Sequence, residues 1–256
     1  MNYYLAAFYA TIVGILSLFF WKYSWIKGKE YLILCLIFSL PLSPIVNIFI
    51  KRPIFYFLHS FFNISVQFKN WPLWPMWLIF IVSIIGPICE EAIKLFPVII
   101  LTKLFSVSGV GVYLLGILSG VGFGISEAWY AGYSLFKSPK YSEYATGLGN
   151  LLGLILGFAA ERILAILAHW MLTAIVAYGI LIKEPIKYFF VAVLLHFLIN
   201  IPAVLYQKYK MPLAGLATVV IFVVLFTSFF LKIEQKVAHN YSCDRIKEDV
   251  LYERKN

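Results

Sequence analysis

The sequence predicts an all-α protein, a polytopic transmembrane bundle of about seven helices, because a helix that crosses ~30 Å of hydrocarbon needs roughly 20 mostly apolar residues. Two observations carry this prediction. Of 256 residues, 62% are hydrophobic and only 13% are charged, a balance that would not keep a soluble domain of this size in solution. Apolar runs also recur from Tyr3 to Leu231 with short polar breaks. We therefore expect a multi-pass protein of the cell membrane.

The apolar runs place the predicted spans at residues 3–22, 31–50, 74–104, 109–136, 147–181, 188–206 and 212–232. The first run has no basic stretch before it and no small-residue cleavage site after it, which indicates a retained helix rather than a signal peptide. Pro41 and Pro44 predict a kink in the second span. The third and fifth spans exceed one straight crossing, so tilt, breaks or re-entrant segments are expected. A separate half-helix at the glycine-rich start of the fifth run would raise the total to eight.

Residues 51–74 are aromatic, moderately polar and too interrupted to span, so this segment is predicted to lie at the membrane interface. Lysines and arginines are more numerous on the side of the bundle that holds the C-terminal tail. Lys51 is counted on the opposite side. This distribution favours an outside N-terminus and a cytoplasmic tail. The net charge of +9 is ordinary for a membrane protein and does not indicate a nucleic-acid partner.

Several ionisable or polar side chains interrupt the predicted spans. Each charge at membrane depth costs at least ~2.5–3.5 kcal/mol on insertion scales, so such groups usually face the bundle interior or an aqueous cavity and find partners. The set comprises Glu90, Glu91, Lys94, Glu127, Glu161, Arg162, His169, His196 and Asn200.

The stretch PICEEAIKLF places two carboxylates and one ammonium on a single helix. Glu90 and Lys94 are four residues apart, and Glu91 and Lys94 are three apart, so one carboxylate can pair with the ammonium while the other points elsewhere. We expect Glu91 to be the paired glutamate and Glu90 to be the free one.

Phe123 and Glu127 share a face of the next span, on which small residues recur every four positions. Such a stripe lets another helix approach closely and would hold Glu127 near its neighbour. The stripe consists of Gly116, Gly120, Gly124 and Ala128.

Two further helices contribute polar pairs. Arg162 and His169 are seven residues apart and share a face, as do His196 and Asn200 at a spacing of four. Glu161, next to Arg162, is at least as well explained by a structural ion pair as by a catalytic role. Because four separate segments each contribute acid or imidazole groups, the set is best read as a site.

Carboxylates and imidazoles in a water-filled pocket can activate water for hydrolysis while other donors stabilise the oxyanion. The only aspartates, Asp244 and Asp249, lie in the tail, and the sequence has no serine elbow or cysteine–histidine pair. Glutamates and histidines also suit zinc. The cofactor therefore stays open, either none or a zinc ion held by Glu90, Glu127, His169 and His196.

The order EExxK, FxxxE, a mid-membrane histidine and HxxxN resembles the CPBP-type intramembrane protease superfamily, which includes the type II CAAX-prenyl endopeptidases and PrsW. The stretches GVGFGISEAWYAG, AERILAILAHWMLTAIVAYG and AVLLHFLIN are most similar to the YhfC group of membrane peptidases. The resemblance covers roughly residues 85–205.

This resemblance implies that Glu90 activates water, that Glu127 shares its proton, and that His196 and Asn200 bind the oxyanion. Lys94 stands one position before the arginine of the prenyl-endopeptidase pattern, and Glu127 replaces its histidine. His169 has no counterpart in the simplest pattern, and we interpret it as part of the site.

The sequence therefore predicts an intramembrane glutamate-dependent endopeptidase whose substrate is a membrane protein or peptide. The expected division is N-terminal helices and interfacial segment at 1–72, a catalytic transmembrane core at 73–206, and the last helix and tail at 207–256. The alternatives are a catalytically silent membrane scaffold, in which the polar set holds helices together, and a small proton-coupled transporter.

Overall fold

A computed structural model of the chain describes residues 4–12, 14–16, 30–63, 74–107, 109–136, 148–209, 220, 224 and 227–239. Within these ranges the regular elements are helical and no strand is present, which confirms the all-α prediction. The elements are α1 (Tyr4–Leu16), α2 (Tyr31–Ser39), α3 (Leu42–Ile45), a π-helix (Val46–Lys51), α4 (Arg52–Phe61), α5 (Met76–Leu104), α6 (Val110–Phe136), α7 (Leu148–Leu181), α8 (Pro185–Tyr209) and α9 (residues 227–239).

Five helical stretches in the described part of the chain are long and apolar enough to cross a membrane, which confirms a polytopic bundle. The first and last predicted spans, at 3–22 and 212–232, lie partly outside the described residues. The stretches are Tyr31–Phe61, Met76–Leu104, Val110–Ser134, Leu156–Leu181 and Pro185–Pro202.

The second span is broken where its prolines predict a kink. The helix α2 ends at Ser39, a turn follows at residues 40–41, and the π-helix begins at Val46. The predicted end at residue 50 is wrong, because α4 continues the span to Phe61. Pro53 lies at the start of α4, where its missing N–H is tolerated, so it does not stop the helix. Of the predicted interfacial segment, residues 64–73 lie outside the described residues.

The two longest predicted spans are each one helix. Pro87 and Pro97 lie inside α5 without ending it. The half-helix expected at the start of the fifth span is wrong, since Leu148–Leu181 is continuous. Glycine weakens a helix by only about 1 kcal/mol per residue, so a glycine-rich start does not break one that packs well.

The helix α6 is the centre of the bundle. In the 18-residue apolar window of its candidate span 94% of the residues are buried, against 33% in that of α5, and α6 contacts α2, α5 and α7. Its small-residue stripe packs on α7 as predicted: a Cβ added at Gly120 would lie 2.3 Å from the carbonyl oxygen of His169. This close approach fixes the α7 backbone at the residue that carries an imidazole of the predicted site.

Candidate active site

Four helices each bring one acidic or imidazole side chain to a common cluster. Glu90 comes from α5, Glu127 from α6, His169 from α7 and His196 from α8. The residues Glu90, His169 and His196 are 5%, 3% and 5% exposed, whereas the side chain of Glu127 is 22% exposed. We call these four residues the polar cluster. The structure therefore brings together the four groups that the sequence proposed as metal ligands.

Glu91 is fully buried beside the cluster and has two partners on one oxygen. Its Oε1 accepts a hydrogen bond from Nζ of Lys94 at 2.6 Å and lies 2.7 Å from Nδ1 of His196. The predicted pairing with Lys94 is confirmed. Because a carboxylate only accepts, Nδ1 of His196 carries the hydrogen, so Nε2 is the nitrogen that has a lone pair when the ring is neutral. Glu91 thus fixes both the tautomer and the orientation of His196.

Glu90 presents its two oxygens to different neighbours. Its Oε1 lies 2.5 Å from Nζ of Lys51. Its Oε2 is buried, lies 3.5 Å from Nε2 of His196, and has no hydrogen-bond partner among the described residues. The expectation that Glu90 would be free is wrong for one oxygen and fits the other. Only Oε2 is available for chemistry.

Lys51 is the site residue that sequence reasoning missed. It ends the π-helix, and its side chain is only 12% exposed. The sequence-based count treats Lys51 as a charge that follows a span ending at residue 50. In the structure Lys51 lies within the span Tyr31–Phe61, and its ammonium reaches Glu90 across 39 positions of sequence. The available signal was indirect: α5 holds two carboxylates and one nearby ammonium, so the second carboxylate needed a cation from another segment. Wide helical turns of this type often occur at functional sites.

Glu127 receives two donors on one oxygen. Its Oε2 lies 3.0 Å from Nε2 of His169 and 3.2 Å from Nη1 of Arg162, which agrees with the predicted shared face of α7. Nδ1 of His169 lies 3.2 Å from Nζ of Lys94. Since a charged ammonium only donates, Nδ1 accepts, and the Nε2 hydrogen of His169 is donated to Glu127.

Aromatic contacts hold the two imidazoles in place. Phe123 is fully buried, and its ring meets that of His169 edge-on at 4.9 Å between centroids. The ammonium of Lys94 lies 5.3 Å from the Phe123 centroid, within the range of a cation–π contact. The rings of His169 and His196 are 5.2 Å apart. The supporting position predicted for Phe123 is therefore next to the cluster.

Two residues of the predicted set lie apart from the cluster contacts. The Glu161 side chain is 57% exposed and pairs with Arg162, so it reaches the cluster only through that guanidinium. Asn200 is half-buried one turn beyond His196, and its side chain makes no hydrogen bond with any described residue. Neither side chain forms a hydrogen bond with Glu90.

The donor atoms of the cluster suit a divalent metal ion. Glu90, His169 and His196 each offer one ligand atom, and these atoms lie within 4.8 Å of one another. Ligands around tetrahedral zinc are about 3.4 Å apart for bonds of roughly 2.1 Å, and the 3.5 Å between Glu90 Oε2 and His196 Nε2 matches this spacing. Glu127, part of the predicted ligand set, is not in this group and instead binds His169.

Comparison with known proteins agrees with this geometry. A family model described as PrsW family intramembrane metalloprotease matches residues 41–229, more than half of the 256-residue chain. The matched range extends across every site residue from Lys51 to Asn200. No curated protein and no solved structure matches the chain.

The family match corrects part of the predicted resemblance, because CPBP is a different family from PrsW. Together with the five apolar helices, the match shows a multi-pass membrane protein and supports intramembrane peptidase activity. The match also implies that the protein lies in a lipid bilayer and that its substrate is embedded in the membrane. The chain belongs to the PrsW family of intramembrane metalloproteases.

Proposed function

We propose that the protein is an endopeptidase that hydrolyses a peptide bond of a membrane-embedded or membrane-adjacent segment at the polar cluster. One observation carries the proposal: the buried Oε2 of Glu90, without a described hydrogen bond, faces Nε2 of His196 at 3.5 Å. With a neutral imidazole these atoms are two buried acceptors, and their close approach is unfavourable unless a proton, a water molecule or a cation lies between them. The pair is thus suited to hold the attacking water or a metal ion.

Glu90 acts as the general base. Its Oε2 takes a proton from water while the water oxygen attacks the carbonyl carbon of the substrate. His196, oriented by Glu91, receives that proton at Nε2 and delivers it to the amine as the carbon–nitrogen bond breaks. Lys51 is a positioning residue, because its contact with Oε1 leaves Oε2 as the only free oxygen of Glu90.

The oxyanion needs donors near the same point. His196 is one from the moment it takes the proton from Glu90 until it releases it to the amine, and the carboxamide of Asn200, one turn further along α8, is the other. Glu127 and His169 form a separate hydrogen-bonded pair at 3.0 Å, and Arg162 balances the charge of the Glu127 carboxylate. On this proposal the pair fixes the His169 ring beside the reacting groups.

A metal ion fits the same residues. Glu90, His169 and His196 would hold it, and Glu91 already provides the outer carboxylate that metal-bound histidines usually have. When bound, a zinc ion would polarise the substrate carbonyl and make bound water more acidic. Both nitrogens of His169 have partners here, so its binding to a metal requires that it release Lys94 or Glu127.

The finer predictions stay proposals. We keep the placement near the YhfC group and residues 73–206 as the catalytic core, flanked by 1–72 and 207–256. Lys51 comes from the first of these divisions and reaches Glu90 in the second. We therefore add the π-helix to the catalytic unit, in line with a family match that begins at residue 41.

A silent scaffold is the second candidate, and one observation favours it. Each carboxylate has a cationic partner: Lys51 on Glu90, Lys94 on Glu91 and Arg162 on Glu127. Paired in this way, the charges would hold the helices together without any reaction. The two functions differ in whether the folded protein turns over a substrate.

The test is cleavage by purified protein in nanodiscs, using a panel of single-pass membrane proteins tagged at both ends. Wild-type protein should separate the tags of at least one substrate. His196→Ala should be correctly folded by size-exclusion elution and should lose about 10²–10⁴-fold in rate. Full cleavage by folded His196→Ala would refute the proposed site, and a wild-type protein that cleaves nothing in the panel would favour the scaffold.

A further inference from the structure

A cavity of about 680 Å³ lies away from the polar cluster between α7, α8 and α9. Its polar lining comes from two tyrosines and from one amide and three basic side chains of the last described helix. These residues are Tyr178, Tyr188, Lys232, Gln235, Lys236 and His239. We call this space the basic cavity.

The charge of the basic cavity has one sign. Lys232, Lys236 and His239 are exposed, and their spacings of four and three place them on one face of α9. Among the described residues, no acidic side chain lines the cavity. Glu234, on the same helix, is buried and accepts a hydrogen bond from Tyr113 of α6, so it points into the bundle. The two lysines therefore attract an anion.

The basic cavity lies where apolar segments end. Tyr178 is within one turn of the last residue of α7, and Tyr188 is within one turn of the first residue of α8. Their rings meet edge-on at 5.2 Å. The connecting residues Lys183 and Glu184 are exposed. Tyrosine and lysine side chains at helix ends are typical of the headgroup level of a bilayer.

We propose that the basic cavity binds the phosphate headgroup of an anionic phospholipid. Lys232 and Lys236 donate to the phosphate oxygens, and the tyrosine hydroxyls lie at the rim as further donors. Phe229 and Ile233, which also line the cavity, provide an apolar wall for the upper part of an acyl chain. Basic pockets between transmembrane helices are established headgroup sites. The bound lipid would hold α9 against α7 and α8.

The experiment is native mass spectrometry of the full chain in detergent, titrated with phosphatidylglycerol or phosphatidylcholine of identical acyl chains. Wild-type protein should retain phosphatidylglycerol preferentially. Each lysine removed should weaken that binding about fivefold, so Lys232→Gln/Lys236→Gln should lose about 25-fold. The matched control, Lys103→Gln/Lys187→Gln, removes two exposed lysines outside the cavity and should bind as wild type.

Inorganic phosphate distinguishes a lipid site from a site for soluble phosphate. At millimolar concentration it should leave bound phosphatidylglycerol in place. Equal loss in the two double variants, no preference over phosphatidylcholine, or full displacement by inorganic phosphate would each overturn the proposal. Both lysines are exposed, and an unchanged elution volume will show that the double variant is folded.

Discussion

Two adjacent glutamates on α5 have opposite surroundings. Glu91 is 0% exposed, and one of its oxygens contacts both Lys94 and His196, at 2.6 and 2.7 Å. Glu90 contacts Lys51 with one oxygen and leaves the other facing His196 at 3.5 Å. The partner of Glu91 on α5 is three residues away, whereas the cation beside Glu90 comes from the π-helix.

We propose that the difference lets one helix carry a structural and a reactive carboxylate side by side. A buried charge needs a partner, and Lys94 on the same helix gives Glu91 a local one, whereas Glu90 takes its cation from a distant segment. Both glutamates leave Oε2 without a hydrogen-bond partner among the described residues, and that of Glu90 lies 3.5 Å from Nε2 of His196. On this account Glu91 holds the site together and Glu90 performs the reaction.

Replacing Glu91 should have the largest effect on stability. Glu91→Gln leaves the ammonium of Lys94 buried without a carboxylate and releases His196, so the free energy of unfolding should fall by about 3–5 kcal/mol. Thermal unfolding of the protein in nanodiscs measures this loss. A variant as stable as wild type would show that the two glutamates do not differ as we describe.

Gly120→Ala should have the second-largest effect on stability, since its Cβ would lie 2.3 Å from the carbonyl oxygen of His169. The backbone of α6 or α7 must move to make room, which should reduce stability by about 1–3 kcal/mol and displace His169. The matched control is Gly86→Ala, because a Cβ at Gly86 meets nothing within 4 Å. Equal unfolding temperatures for the two variants would contradict the close approach of α6 and α7.

Lys51→Gln should reduce turnover about tenfold, because the residue orients Glu90 and does not itself react. The loss of stability should be smaller than that of Glu91→Gln, because Lys51 is 12% exposed and Lys94 is fully buried. Steady-state cleavage should show a lower kcat at nearly unchanged KM. Lys51→Arg, which keeps the charge, should recover part of the rate. If Lys51→Gln and Lys51→Arg are equally slow, turnover does not depend on the positive charge beside Oε1 of Glu90.

Glu161→Gln should have the smallest effect. The Glu161 side chain is 57% exposed, and exposed ion pairs contribute about 0–1 kcal/mol. Arg162 keeps its contact with Glu127, so turnover should stay within about twofold of wild type. A tenfold loss of turnover would show that Glu161 belongs to the site.

The sequence predicted local relations better than distant ones. The three-residue spacing identified the Glu91–Lys94 pair, and the glycine stripe of α6 indicated that another helix packs closely on it, because both depend on helical periodicity alone. The structure shows that this helix is α7. The contact of Lys51 with Glu90 depends on a π-helix, which has no periodic signal, and on the packing of two segments. Sequence reasoning therefore placed Lys51 beyond the end of a span, on the outer side of the membrane.

Asn200 shows a similar limit. Its spacing of four from His196 places both residues on one helix face. Of the two side chains, His196 forms a hydrogen bond with a glutamate, and Asn200 forms none among the described residues. Periodicity selects a face and does not give the distance from the cluster. The oxyanion role of Asn200 stays a prediction.

The most direct test is turnover per folded molecule for Glu90→Gln, measured beside Glu91→Gln in the same nanodiscs with a substrate cleaved by wild type. Our account predicts that Glu90→Gln loses less stability than Glu91→Gln, because the cation that it leaves unpaired, Lys51, is 12% exposed, whereas Lys94 is fully buried. Glu90→Gln should also have lost about 10²–10⁴-fold in rate. A folded Glu90→Gln that cleaves at the wild-type rate would contradict it.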